Sequence, residues 1–239
     1  SILLVDFINH AIASGLPLTF LVPPGLSPAL LDRETLVLMA RAGFYRICLS
    51  IDVGSQKAVH FSRKPVKLAK VRSIVQMANR TGLWTYATFV IGYPYETVED
   101  VQATIRFAYG LKLDLCIFYI AQPHLGSELY DQYLREGKIT PHQVSRHHLP
   151  DESLFGTDNL SAGELESLRT GAQTRYPFRH LLHFLNPVYF VTEFLPKIAT
   201  PGRFRYFLTV LGSWMEFAGL IGAARPIRRK RKAEEAAGA

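Results

Sequence analysis

Runs of β-branched and aromatic residues alternate with one-sided apolar runs at intervals of roughly 30 residues, an order that restricts the chain to βαβ units and a parallel sheet. The sharpest instance is Thr85-Tyr-Ala-Thr-Phe-Val-Ile-Gly-Tyr-Pro-Tyr-Glu-Thr97. Val90 and Ile91 suit a buried strand, Gly92 permits close backbone approach, and Pro94 forbids continuation of the ladder. Thr97, with Asp100 three residues later, forms a capping box that opens a helix. Ligands sit at the carboxyl ends of parallel strands, so Gly92 to Glu96 is the first place to look for chemistry. The competing reading is a βα turn that needs Gly and Pro for its geometry alone.

Three further strands are expected at Leu18–Val22, ended by Pro23-Pro24-Gly25, at Tyr45–Asp52 and at Leu115–Ile120. The spacing predicts helices over Ile2–Ala13, from the Ser27 cap and Pro28 to Ala42, over Leu68–Arg80, after Thr97, and from Ser127 to about Glu136. Leu68, Val71, Val75 and Ala78 share one helical face, as do Val98, Val101, Ile105 and Ala108. Residues 1–138 therefore read as barrel-like units. Residues 139–224 read as a helical extension, capped at Ser161 to Glu164 and broken at Pro177, Pro187, Pro196 and Pro201, and residues 225–239 as a basic disordered tail. His142, His147 and His148 stand in the connection, but an adjacent pair points apart and no Cys or carboxylate stands at ligand spacing, so no metal site is expected.

The net charge of +7 would suggest a nucleic-acid partner if it were spread over the body. Six of the cations lie between Arg225 and Lys232, and with Glu234 and Glu235 removed as well the remainder carries +3 (7 − 6 + 2). No nucleic-acid partner is expected. Two distant cysteines, Cys48 and Cys116, exclude a disulfide framework and suit a reducing cytoplasm. The apolar stretch His180–Thr192 is shorter than the ~20 residues a spanning helix requires, so the aromatic C-terminal helices are expected to pack on the sheet, with peripheral membrane contact as the sharper alternative. The chain opens at Ser1 in what reads as mid-helix, and a truncated N-terminus is expected.

Several stretches, in order, resemble radical S-adenosylmethionine (SAM) enzymes of the subgroup with a cobalamin-binding domain. Leu30-Leu-Asp-Arg-Glu-Thr-Leu-Val-Leu-Met-Ala-Arg-Ala-Gly43 resembles the helix before the family's fourth barrel strand, and Arg46 to Gln56 resembles that strand. Phe89-Val-Ile-Gly-Tyr-Pro-Tyr-Glu-Thr97 resembles the fifth-strand segment, Gln122-Pro-His-Leu-Gly-Ser-Glu-Leu-Tyr130 the segment after the sixth, and the Asn186-Pro-Val-Tyr-Phe region the helical tail. The family's Cys-x-x-x-Cys-x-x-Cys loop and first two strands are absent. Asp52 stands where Glu is usual, and Thr88 where glycine is common.

The resemblance implies a partial TIM-like α/β barrel that binds SAM across its strand ends. Asp52 would accept from the ribose or amino group, Ser55 would lie near the amino-acid moiety, and Arg63 or Lys64 would meet its carboxylate. Gly92, Tyr93 and Pro94 would form a wall, and Ile120 and Ala121 would offer backbone groups to adenine. A 4Fe-4S cluster with ligands outside this chain, cobalamin, and a small-molecule substrate are implied. The reaction class is methylation, cyclisation or rearrangement at an unreactive carbon, with these 239 residues inactive alone. A noncatalytic half-barrel is the alternative. No catalytic residue is assigned.

Overall fold

A computed structural model describes residues 2–64, 66–140 and 155–217. Four strands, β1 (Phe20–Leu26), β2 (Phe44–Asp52), β3 (Trp84–Ile91) and β4 (Leu115–Ile120), pair side by side in sequence order, all parallel. The order follows from right-handed crossovers through helices on one face. Alternation along β3 and β4 defines two sides: Ala87, Phe89, Ile91, Cys116 and Phe118 are buried under the helices, while Tyr86, Thr88, Val90, Ile117 and Tyr119 are half-buried on the other. This is a partial barrel: one face is packed and its inner face is half-open.

The packed face is covered by α1 (Ile2–Ala13), α2 (Arg33–Arg41), α4 (Leu68–Arg80) and α5 (Val98–Gly110), while α3 (Gln56–Ser62) leaves the end of β2. Val71, Val75, Ala78, Val101 and Ala108 face the core as the spacing requires. Val98 stands out at the helix start, and the Thr97–Asp100 capping box is formed.

Four expectations need correction. β1 runs through Pro23 to Leu26 instead of ending at Val22, with a register shift between Val22 and Leu26. An edge strand tolerates proline, and Gly25 lets the backbone approach β2: a Cβ there would collide with the Ser50 side chain. The helix expected from Ser27 to Ala42 is two pieces, a turn over Pro28–Leu30 and α2, because Leu31 is extended and Asp32 caps α2 through the Thr35 N–H. Helix α3 was not anticipated. Pro177 lies inside a helix and does not break it, whereas Pro187, Pro196 and Pro201 do open new turns.

After α6 (Glu128–Arg135) the described chain resumes before α7 (Ala162–Leu181), passes through short turns over Leu182–Leu185, Pro187–Tyr189, Phe190–Phe194 and Leu195–Ile198, and ends in α8 (Pro201–Phe217). His142, His147, His148 and the basic tail lie outside the described residues. Helix α7 lies along the outer edge of β4, where the Tyr176 hydroxyl donates to the Leu113 carbonyl at 2.8 Å. Phe184, Tyr189, Phe194 and Trp214 gather on Trp84 in a second core. At the amino ends of the strands, Lys197 pairs with Asp114 while also donating to Asn79 Oδ1 at 2.8 Å, and Asp114 accepts the Thr85 N–H at 2.7 Å. Both charges are fully buried, which pushes Asp114 up and Lys197 down, each held back in part by the other. This network joins the C-terminal helices to the sheet.

Candidate functional site at the strand ends

Strand β2 ends irregularly, and the irregularity aims a carboxylate. Ser50 pairs with Thr88 but Asp52 pairs with Phe89, so the register slips at Ile51, and Asp52 adopts φ +59°. That left-handed backbone costs an Asp about 1 kcal/mol and persists where surrounding contacts hold it. Two contacts hold it here. Thr88 Oγ1 donates to Asp52 Oδ1 at 3.1 Å, and Lys64 Nζ donates to Oδ2. Thr88, which stands where glycine is common in the family, orients the carboxylate on the half-open face.

Of the two cations weighed for this position, Lys64 meets Asp52, while Arg63 sits at φ +52° as the cap just after α3 and pairs with Glu128 at 3.2 Å on the exposed surface. Ser55 is the cap of α3, its hydroxyl oxygen accepting the Ala58 N–H at 3.1 Å.

The Gly92-Tyr-Pro turn is organised from within by Glu96. Its carboxylate accepts the Gly92 N–H at 2.5 Å and the Tyr93 N–H at 3.0 Å, and the Glu96 N–H returns to the Tyr93 carbonyl at 2.9 Å. Glu96 is completely buried, and desolvation pushes its pKa up to about 7 despite those two amides. Gly92 has φ +85°, and a Cβ there would lie 3.1 Å from Leu165 Cδ1 and 3.2 Å from Ile120 Cγ2, so it faces α7 and β4. The Pro94 carbonyl accepts the Asp158 N–H at 2.8 Å, and Thr157 bonds the Glu96 carbonyl at 2.9 Å, strapping the turn from outside. Ile120 is buried, and the Ala121 N–H extends the ladder to the Ile91 carbonyl at 2.8 Å.

Sequence reading missed the aromatic group beside these residues. Phe61 of α3 lies 5.4 Å from the Tyr93 ring and 4.7 Å from Tyr95, and Lys57 stands 4.6 Å above Tyr95. Desolvation, and then the charges of Asp52 and Glu96, push the Tyr93 phenol up, so it stays a neutral donor. The run Tyr-Pro-Tyr was its visible signal; α3, which supplies Phe61, was not foreseen.

No family model matches the chain. Over 157 residues it is 29 % identical to cytidylyl-2-hydroxyethylphosphonate methyltransferase of Streptomyces wedmorensis, covering 63 % of this chain and 29 % of that enzyme. It is 25 % identical over 148 residues to anaerobic magnesium-protoporphyrin IX monomethyl ester cyclase of Cereibacter sphaeroides, covering 57 % of this chain and 24 % of that one. Among solved structures it is similar to the radical S-adenosylmethionine methyltransferase TsrM from Kitasatospora setae with cobalamin and a 4Fe-4S cluster bound, at TM-score 0.49 and 16 % identity over 68 % of this chain and 32 % of that one. The chain is related to the radical SAM enzymes. It spans under a third of the length of the two curated relatives.

A radical SAM cluster needs three thiolates, and this chain has two cysteines. Both are buried and unpaired, Cys116 packed in the core under the helices. Desolvation pushes both thiols up, opposite to what metal ligation requires. Among the described residues no group of three His, Cys, Asp or Glu is gathered to hold a metal. The residues of this chain do not fit a cluster. At the strand ends an acceptor (Asp52), a cation (Lys64) and two aromatic rings (Tyr93, Phe61) lie close together.

Proposed function

We propose that these residues form the SAM-binding strand ends of a radical SAM enzyme whose cluster ligands come from outside the 239 residues. The observation that carries the reading is the Asp52 carboxylate, turned by a register slip and a left-handed backbone onto the half-open sheet face beside Lys64 and Thr88. Asp52 accepts from a ribose hydroxyl or the ammonium group, and Lys64 exchanges its pairing for the SAM carboxylate. Tyr93 closes one side, Ser55 lies near the amino-acid moiety, and Ile120 and Ala121 border the adenine. Arg63, paired with Glu128, stays at the rim. Bound SAM supplies the methyl or 5′-deoxyadenosyl group; the residues named here bind and orient it. By analogy with its relatives, the whole protein uses cobalamin and methylates, cyclises or rearranges a small molecule at an unreactive carbon. The buried free thiols support a cytoplasmic location.

A second reading, a noncatalytic half-barrel, draws on one observation: the Gly92 and Tyr93 amides are already satisfied by Glu96 and are not presented to a ligand.

Calorimetric titration of the chain with SAM separates the two. Asn tolerates the left-handed backbone at position 52, so Asp52→Asn keeps the fold and removes the charge. The dissociation constant is expected to rise about tenfold, the ~1.4 kcal/mol of one charge-assisted hydrogen bond, while Arg63→Met changes it little. Absence of binding to the wild-type chain, or equal constants for wild type and Asp52→Asn, contradicts the proposal.

A further inference from the structure

Between Ser167 and Met215 the chain carries a single acidic residue, Glu193. That carboxylate is buried, accepting from Asn79 at 3.2 Å and Lys112 at 3.0 Å. The outward side of residues 167–215 therefore shows solvent no carboxylate, the exposed Glu164 and Glu216 lying just beyond it in α7 and α8, while Arg175, Arg179 and Arg205 are exposed. Large apolar side chains stand exposed in the same stretch: Leu185 is 79 % exposed, Val188 63 %, Val191 59 % and Leu208 55 %. Phe184, Tyr189 and Phe194, interleaved with them, turn inward onto Trp84, so the outward set is not a core left unfilled. Exposed apolar surface combined with cations and no anions is the composition of a helix that lies in a lipid interface.

We propose that this outward side rests on an anionic phospholipid surface, with Leu185, Val188 and Val191 at the acyl boundary and the arginines at the headgroup phosphates. Charge argues for this occupant over two others. The sequence after α8 holds six cations between Arg225 and Lys232, which the exposed arginines repel and an anionic surface attracts. A second copy docked face to face sets Arg175, Arg179 and Arg205 against cations of the same kind. The chain lies on the surface: among the described residues no helix is long and apolar enough to cross a membrane. The proposal is independent of SAM binding.

Co-sedimentation of the 239-residue chain with vesicles tests it. The chain pellets with vesicles of equimolar phosphatidylcholine and phosphatidylglycerol, stays in solution with phosphatidylcholine alone, and is released by salt. The double variant Leu185→Glu/Val188→Glu, altered only at exposed positions, keeps the wild-type melting temperature and binds the mixed vesicles at least about tenfold more weakly. Failure of the wild type to pellet, equal pelleting on both compositions, or wild-type binding by the double variant overturns it. A dimer in light scattering that the double variant dissolves assigns the face to a second copy and also overturns it.

Discussion

Gln173 of α7 closes the outer edge of β4 at Phe118: its side-chain oxygen accepts the Phe118 N–H at 3.0 Å, and its amide donates to the Cys116 carbonyl at 2.8 Å. One buried side chain thereby satisfies a strand edge that would otherwise invite pairing with another chain. Gln173→Leu leaves a donor and an acceptor buried without partners, at about 1–3 kcal/mol each. The variant is expected to lose about 2–4 kcal/mol in chemical denaturation and to expose the β4 edge, read as aggregation on mild heating.

The Asp114–Lys197 pair makes an asymmetric prediction. Lys197→Met strands a buried carboxylate and is expected to destabilise the fold by about 3–5 kcal/mol, whereas Asp114→Asn combined with Lys197→Met recovers most of the loss. Urea midpoints of the single and double variants measure the difference.

Glu96 makes stability depend on pH in the direction opposite to a surface carboxylate. Its folded pKa, about 7, lies above the unfolded value of 4.5. Its contribution is thus complete below about pH 4.5 and is lost as pH rises through about 7, a change on the order of 3 kcal/mol. Glu96→Gln keeps an acceptor for Gly92 and Tyr93 and removes the ionisation. The difference in unfolding free energy between wild type and variant is expected to shift in favour of the variant across pH 4.5 to 7; a pH-independent difference contradicts the assignment.

Gly92 distinguishes a turn from a cofactor wall. With φ +85° and Leu165 and Ile120 against its open side, Gly92→Ala is expected to cost about 1 kcal/mol or more of stability, with affinity for SAM falling only with the folded fraction. A lower affinity per folded molecule returns it to the ligand wall.

What was legible in the sequence was what is local. The β3 run, the Thr97 box and the stripe of α4 depend on neighbours within one or two turns, and they stand where periodicity put them. Asp52 was legible as a strand-end carboxylate, but its orientation was not, because the slip at Ile51 and the φ of +59° are set by Thr88 and Lys64, residues 36 and 12 positions away. Glu96 was legible only as the end of the Gly92-to-Glu96 stretch, since its burial and its hold on the Gly92 and Tyr93 amides depend on the folded turn. Pro177 misled for the same reason: local rules end a helix there, but its buried place beside Tyr176 and His180 holds the helix through it. The six cations of the tail were legible, whereas the outward apolar side of 182–198 required knowing which aromatics turn inward.

Neither Cys48 nor Cys116 is placed to join a cluster site, so anaerobic reconstitution of this chain with iron and sulfide is expected to yield no stoichiometric 4Fe-4S cluster by absorbance and iron content. A full cluster on these residues would require the core around Cys116 to open.

Amide chemical shifts of the 239-residue chain, followed during titration with SAM, test the central claim most directly. The account predicts that the perturbed amides cluster at the ends of β2, β3 and β4, around Asp52 to Ser55, Lys64, Tyr93 and Ala121, and that Asp52→Asn suppresses the whole set together. Perturbations gathered instead in the concavity of about 450 Å³ between α5 and α7, at Tyr109, Arg106 and Arg175, or no saturable perturbation at the strand ends, would contradict it.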